Sequence, residues 1–269
     1  MSTIRSNHPA TGGRRLAQLA LLALLTLTLA LAGCGDDDDD SSPTGPTNPG
    51  GSDFDQTTAV TQSQVAAPQG VALVESMDDL AAGFTRAAKD YAYNGDNERW
   101  EYDASWTQGG YTYNWFYTVQ YLDGDGNPQQ EGGTAASAIH TMDGSGSFSQ
   151  SEGGVTIDYD YRYVYDVTLT GLATDTVVMN GTGSIGIDYT YSGNGIEQSD
   201  TYAMAWETLG GGVSYPASGC PSGTIRYDMA PYYMDLVFDG SSTAQATVYD
   251  ANGTAVSGGN SDHTVSCSR

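Results

Sequence analysis

The sequence predicts a mainly β protein: a single antiparallel up-and-down meander, closed into a barrel or curled into a half-barrel, with one short N-terminal α-helix. Three observations carry this. From Trp100 nearly to the end, apolar and polar residues alternate with period two, the signature of strands with one packed and one wet face. The alternating runs are long and are separated by short Gly-, Asp- and Asn-rich turns, which favours sequential antiparallel neighbours. No strand–helix–strand rhythm and no repeat of fixed length interrupts them.

The elements follow in order. Ser76-Met77-Asp78-Asp79 reads as a helix start with an acid three residues after the cap. Leu80, Phe84, Ala87, Ala88 and Tyr91 then fall at helical spacing, so a helix is expected near 76–91. A shorter helix or extended piece is expected within Val60 to Glu75, broken near Pro68-Gln69-Gly70.

Trp100 to Trp106 and Tyr111 to Tyr121 form the first stripes, joined at Gln108-Gly109-Gly110. Ala136, Ala138 and His140 make a weaker strand that ends at Asp143-Gly144. Val155 to Leu169 carries the longest stripe, with Asp158, Asp160 and Arg162 on its other face. Further strands are expected near 174–191, 197–208, 223–229, 234–239, 243–250 and 261–267, with Gly210-Gly211-Gly212 as a loop.

The first residues carry a different message. Arg5, Arg14 and Arg15 precede an apolar run from Leu16 to Leu31, and Leu31-Ala32-Gly33-Cys34 follows. A positive start, an apolar stretch and small residues before a cut form a secretory signal. The run is shorter than the ~20 residues a spanning helix needs. Leu31-Ala32-Gly33-Cys34 resembles the lipobox of bacterial lipoproteins, a resemblance confined to residues 1 to about 45. It implies a signal peptide over 1–33, cleavage before Cys34, and diacylglyceryl transfer to the Cys34 thiol. The protein's partner would then be a lipid bilayer, reached through acylated Cys34. Gly35 follows the cysteine, and Asp36 stands one place later than the inner-membrane retention signal of that family. Outer-membrane delivery is therefore expected over inner.

Residues 34–58 are rich in Asp, Ser, Pro, Gly and Thr and cannot bury an apolar face, so they read as a flexible tether. The β domain is assigned to 59–269. Loss of residues 1–33 removes three arginines and no acids, taking the formal charge from −24 to −27. Nucleic acid is excluded as a partner, because phosphate binding needs clustered Lys and Arg. With Cys34 assigned to lipid, Cys220 and Cys267 remain as a pair and are expected to form a disulfide in an oxidising compartment.

Sites are sparse. Tyrosines number nineteen against five phenylalanines, and most alternate in register with Val, Ile and Leu, as the inner wall of a sheet would. Tyr111, Tyr113, Trp115 and Tyr117 are the residues expected to face a ligand, through ring stacking with a glycan or peptide. Asp123, Asp125 and Asn127 place oxygens at alternate positions, as a calcium turn does. Pro128 and Thr134 stand where an EF-hand needs Gly and Glu, so the alternatives are a looser Ca2+ turn or a plain acidic hairpin turn. No other cofactor is expected. Gly181-Thr182-Gly183-Ser184-Ile185-Gly186 matches a dinucleotide motif by letters, but β-type residues follow it, so it reads as a glycine-rich strand or bulge.

No nucleophile elbow or paired metal-ligand motif occurs. The favoured reading is a non-catalytic envelope lipoprotein that binds a glycan, peptide or envelope protein, or has a structural role. A glycan hydrolase with paired carboxylates would need two acids facing each other in a tyrosine-lined groove. A lipid or lipoprotein carrier would need an apolar cavity within the half-barrel, and a transmembrane β-barrel is a further alternative.

Overall fold

The computed structural model describes residues 55–82, 91–108, 111–193 and 196–267. Cys34, the expected signal and most of the expected tether lie outside these residues. Among them, twelve strands form one antiparallel sheet. They are β1 (Ala92–Asn94), β2 (Arg99–Gln108), β3 (Tyr111–Leu122), β4 (Pro128–Gln129), β5 (Ser137–Glu152) and β6 (Val155–Thr170). There follow β7 (Thr176–Gly193), β8 (Ile196–Pro216), β9 (Ser222–Met229), β10 (Tyr232–Asp239), β11 (Thr243–Tyr249) and β12 (Ala255–Thr264). Strand order equals chain order except that β4 branches from β3, so β3 pairs β5. The sheet is an open, curved half-barrel with β1 and β12 at its edges, as the alternation predicted.

The principal helix lies earlier than the sequence suggested. Helix α1 runs Gln56–Glu75 without a break, and the tether boundary at 58 therefore falls inside it. Asp55 caps it, accepting hydrogen bonds from the Thr58 backbone N–H and hydroxyl, both at 2.9 Å. Pro68 does not interrupt it. Pro68 and Gln64 are both exposed, so the carbonyl left without a donor lies on the watered side. The buried face is Ala59, Ser63, Ala66, Ala67, Gly70, Val71 and Val74. These small residues give little hydropathy contrast, which hid the helical period, and they let the helix settle close to the strands. A short helix α2, Met77–Ala82, buries Met77 and Leu80. It is the described part of the helix expected at 76–91; residues 83–90 lie outside the described ones.

Helix α1 packs on the concave face of β9–β12. A Cβ on Gly70 would meet Leu236 Cδ2 at 2.5 Å and Tyr227 Oη at 2.7 Å. The core beneath it joins Val71 and Val74 to Ile225, Met234, Leu236 and Val248. The C-terminus is tied to the same layer: Ser266 N–H donates to Glu75 Oε1 at 2.8 Å. Tyr215 Oη donates to the Ser266 carbonyl at 3.0 Å. Cys220 and Cys267 stand with their sulfurs 2.03 Å apart, the expected disulfide.

Two glycine runs differ from their expected roles. Asp143-Gly144 does not end a strand, because β5 continues to Glu152. Gly210-Gly211-Gly212 is not a loop but lies inside β8. Three extra residues stand there against both neighbours: Met179–Thr182 on β7 faces Glu207–Val213, and Ser222–Thr224 on β9 faces Leu209–Ser214. An odd insertion reverses the alternation, so Met204 and Trp206 point inward before it and Val213 and Tyr215 after it. All three glycines have positive φ, which L residues with side chains resist. The Gly181–Gly186 motif lies in β7, in accord with the strand or bulge reading.

Candidate functional site

Strands β5 to β8 outrun the short hairpin β9–β10, whose turn at Ala230-Pro231 stops level with Ala205 of β8. The sheet therefore has two halves on its concave side. One lies under α1. The other is built from β2, β3 and β5–β8, and no described element covers it.

Its inner face is aromatic. Trp106 stacks on Tyr113 with ring centroids 4.7 Å apart, and Tyr111 stacks on Phe148 at 4.2 Å. Tyr111 and Tyr113 lie parallel at 5.9 Å, which joins the two pairs into one ladder across β2, β3 and β5. Tyr161 reaches over Gly146 to Tyr113, 6.3 Å away. Tyr159, Tyr161 and Ile187 form the floor, with Phe148, Ile185, Tyr189 and Tyr202 around them. Glycines make room for the flat rings: Gly144 lies under Trp115, Gly146 under Tyr161, and Gly183 under Trp206. Cross-strand ring pairs hold such a sheet where a second layer is absent. Tyrosine suits this better than phenylalanine, because its hydroxyl stays hydrated at a half-wet surface.

The four expected ligand-facing residues divide along β3. Tyr111 is 38 % exposed, Tyr113 and Trp115 are half-buried, and Tyr117 is in the core. Trp106, 42 % exposed, belongs to the face but was not singled out in the sequence, nor were Phe148, Tyr159, Tyr161 and Tyr189. Period two placed all of them but Phe148 on stripes; Phe148 lay past the expected end of its strand at Asp143-Gly144. What the sequence lacked was the packing over the stripe, which covers Tyr117 with Tyr91, His140 and Tyr165.

Two polar atoms of this face are buried without a hydrogen-bond partner, Tyr159 Oη and Trp115 Nε1. Burial raises the Tyr159 phenol to about 12, so it remains a neutral donor. Deeper in, Tyr117 Oη and His140 Nδ1 are 2.6 Å apart, and Tyr117 also bonds Tyr165. His140 Nε2 has no partner, and burial drives the imidazole down to about 3.

Most strand acids sit on the other side, apart from Glu152 and Asp200, which hold concave register positions. Asp103, Asp143, Asp158, Asp160, Asp166, Asp188 and Glu207 all occupy convex-face positions. Arg162 does not join Asp158 and Asp160; it pairs with Asp143, at 3.1 and 2.7 Å. The other two described arginines are paired as well, Arg99 with Glu101 and Arg226 with Asp235. Arg226 borders a shallow groove of about 480 Å³ where β8 and β9 part, together with Glu207, Asp228 and Tyr233. Its guanidinium lies 4.3 Å above the Tyr233 ring.

The Asp123 turn spends its oxygens on itself. Asp123 Oδ1 accepts from the backbone N–H of Asp125 at 2.9 Å and of Asn127 at 2.8 Å. The same five-residue turn recurs at Asp250–Thr254, where Asp250 Oδ1 accepts from Asn252 at 2.9 Å and Thr254 at 2.8 Å. Each has glycine with positive φ at its fourth place, Gly126 and Gly253. These N–H donors hold both carboxyls below the usual carboxylate range. No metal-binding cluster of three or more ligands occurs among the described residues. On edge strand β12, Ser261 Oγ lies 2.9 Å from His263 Nε2, but no carboxylate bonds the other ring nitrogen among the described residues.

No family model, no curated protein and no solved structure matches the chain.

Proposed function

We propose that the chain is an extracytoplasmic lipoprotein, held on a bacterial membrane, outer rather than inner, through acyl chains on Cys34. Its β domain then acts as a binding module whose working surface is the open aromatic face. The observation that carries this reading is the division of the sheet. One half of the concavity is filled by α1, while the other presents Trp106, Tyr111 and Tyr113 to solvent with no described layer over them. The lipobox residues support the anchor, and two or more acyl chains give stable attachment where one would release.

Binding is favoured over hydrolysis because only two described strand acids, Glu152 and Asp200, share the concave register with the rings, and they stand on β5 and β8 with two strands between them, about 14 Å apart across the sheet. A glycosidase needs its carboxylates on both sides of one bond. It is favoured over acyl-chain transport because α1 occupies the covered half of the concavity.

Mass spectrometry of the N-terminal peptide from cells tests the anchor: a diacylglyceryl Cys34 is expected, and an unmodified Cys34 overturns it. Complementation tests the face. Full-length W106A and Y111A, made at wild-type abundance, are expected to behave like a deletion. If both restore the wild-type phenotype, the aromatic face is not the working surface.

A further inference from the structure

Resting on that reading, the geometry points to an uncharged carbohydrate chain as the occupant of the open aromatic face. Four features select it. Trp106 and Tyr111 are the most exposed rings of this face, which suits the apolar C–H faces of pyranose rings. Tyr159 Oη and Trp115 Nε1 are buried donors without partners, and Tyr159 is only 9 % exposed. A sugar hydroxyl can accept from either, whereas an acyl chain would leave both unpaired.

Charge excludes anionic polymers. No described side chain on this face is charged, and each described arginine is paired on the convex side. The acids Glu152 and Asp200 hold concave register positions opposite Val155 and Tyr189, Glu152 at a hairpin tip and Asp200 in the row of Tyr159 and Phe148. The chain as a whole carries −24. An acidic glycan would approach against that field.

Backbone pairing disfavours an extended peptide. Strands β3, β5, β6 and β7 are paired on both sides along this face. Over the rings themselves there is thus no free N–H or C=O row for strand addition; unpaired rows lie only at the rims, on the outer edges of β2 beyond Glu101 and of β8 before Ala205. What remains is recognition by ring faces and isolated donors, the mode that suits a polyhydroxylated neutral chain.

The test uses the full chain in detergent micelles, with cellohexaose and chitohexaose as neutral probes and polygalacturonate as the anionic comparator. Binding is read by tryptophan fluorescence and by saturation-transfer NMR. A neutral oligosaccharide is expected to bind, and polygalacturonate is not. W106A, Y111A and the hydroxyl-only change Y159F should each weaken it about tenfold or more. F116A, equally exposed but on the convex face, should leave it unchanged. Binding that survives the first three variants, or that F116A removes, overturns the site. If a panel of neutral glycans spanning β- and α-linked hexoses shows no binding at millimolar concentration, the ligand class is overturned. In that case, failed complementation by W106A and Y111A would leave the binding-face reading standing, and successful complementation would remove both.

Discussion

Tyr117 and His140 meet across neighbouring strands in the dry interior, phenol oxygen 2.6 Å from Nδ1, while the imidazole Nε2 faces no partner. Burial makes His140 a folded-state group that resists protonation, with its pKa at about 3 against an unfolded value near 6.5. The sign follows. Between these values the unfolded chain binds the proton and the folded one does not, so stability falls as pH drops below about 6.5. The slope is about 1.4 kcal/mol per pH unit. The acidic chain also loses self-repulsion over the same range, so the wild-type profile mixes both effects. The difference between wild type and His140→Met in urea unfolding from pH 7 to 4 isolates the histidine. The wild type should lose stability relative to the variant at each step downward. Parallel curves would show that His140 is protonated without cost.

Asp160 and Asp188 stand directly opposite each other on β6 and β7, both exposed. Like charges at such positions destabilise a sheet by roughly 0.2–1 kcal/mol. Asp188 is held by the Thr201 hydroxyl at 2.7 Å, so Asp160 is the residue to change. Asp160→Thr should raise the unfolding free energy by that amount, and less in 1 M salt, where the repulsion is already screened. A loss of stability would mean that the two carboxylates share a favourable contact.

Gly70 tests how closely α1 lies on the sheet. On helix propensity alone, Gly70→Ala should stabilise by about 1 kcal/mol. The added Cβ, however, would stand 2.5 Å from Leu236 and 2.7 Å from the Tyr227 hydroxyl, both buried. Overpacking of this kind costs roughly 1–3 kcal/mol, so the net effect of Gly70→Ala should be destabilising, and Gly70→Val more so. Chemical denaturation decides. A more stable Gly70→Ala would place α1 farther from β9 and β10.

The fold class was legible because period two survives any arrangement of the layers. Tyr111, Tyr113, Trp115 and Tyr117 read as one stripe, and they are one stripe. Their different exposures were not legible, because burial depends on the packing over the stripe. The helix itself was obscured by its own packing: Ala66, Ala67 and Gly70 are buried because they are small, and small residues carry a weak hydropathy period. The flattened alternation at Gly210–Gly212 likewise reads as a loop until a neighbouring strand supplies the register. Asp123 and Asp125 left a calcium turn and a plain acidic turn both open because the two use the same residues. Only the direction of the carboxylate oxygens separates them.

Gly181, Gly183 and Gly186 share one short motif in β7 and should respond to substitution in opposite ways. A strand interior disfavours glycine by roughly 0.5–1 kcal/mol, so each looks improvable by sequence alone. At Gly183 the Trp206 indole lies where a Cβ would go, and at Gly181 the Asp166 carbonyl is 2.5 Å from that point. Gly186, across from Arg162 and Ala203, has nothing within 4 Å. Gly183→Val should therefore cost about 1–3 kcal/mol by displacing the indole, whereas Gly186→Thr should gain up to about 1 kcal/mol. Tryptophan fluorescence should shift in the first variant and stay constant in the second, because only the first moves Trp206. A dinucleotide loop would behave otherwise, with every glycine intolerant of a side chain for the sake of phosphate access. A stabilised Gly186→Thr alongside a destabilised Gly183→Val would show that these glycines act one by one, Gly183 by making room for the Trp206 ring, and not through a shared ligand.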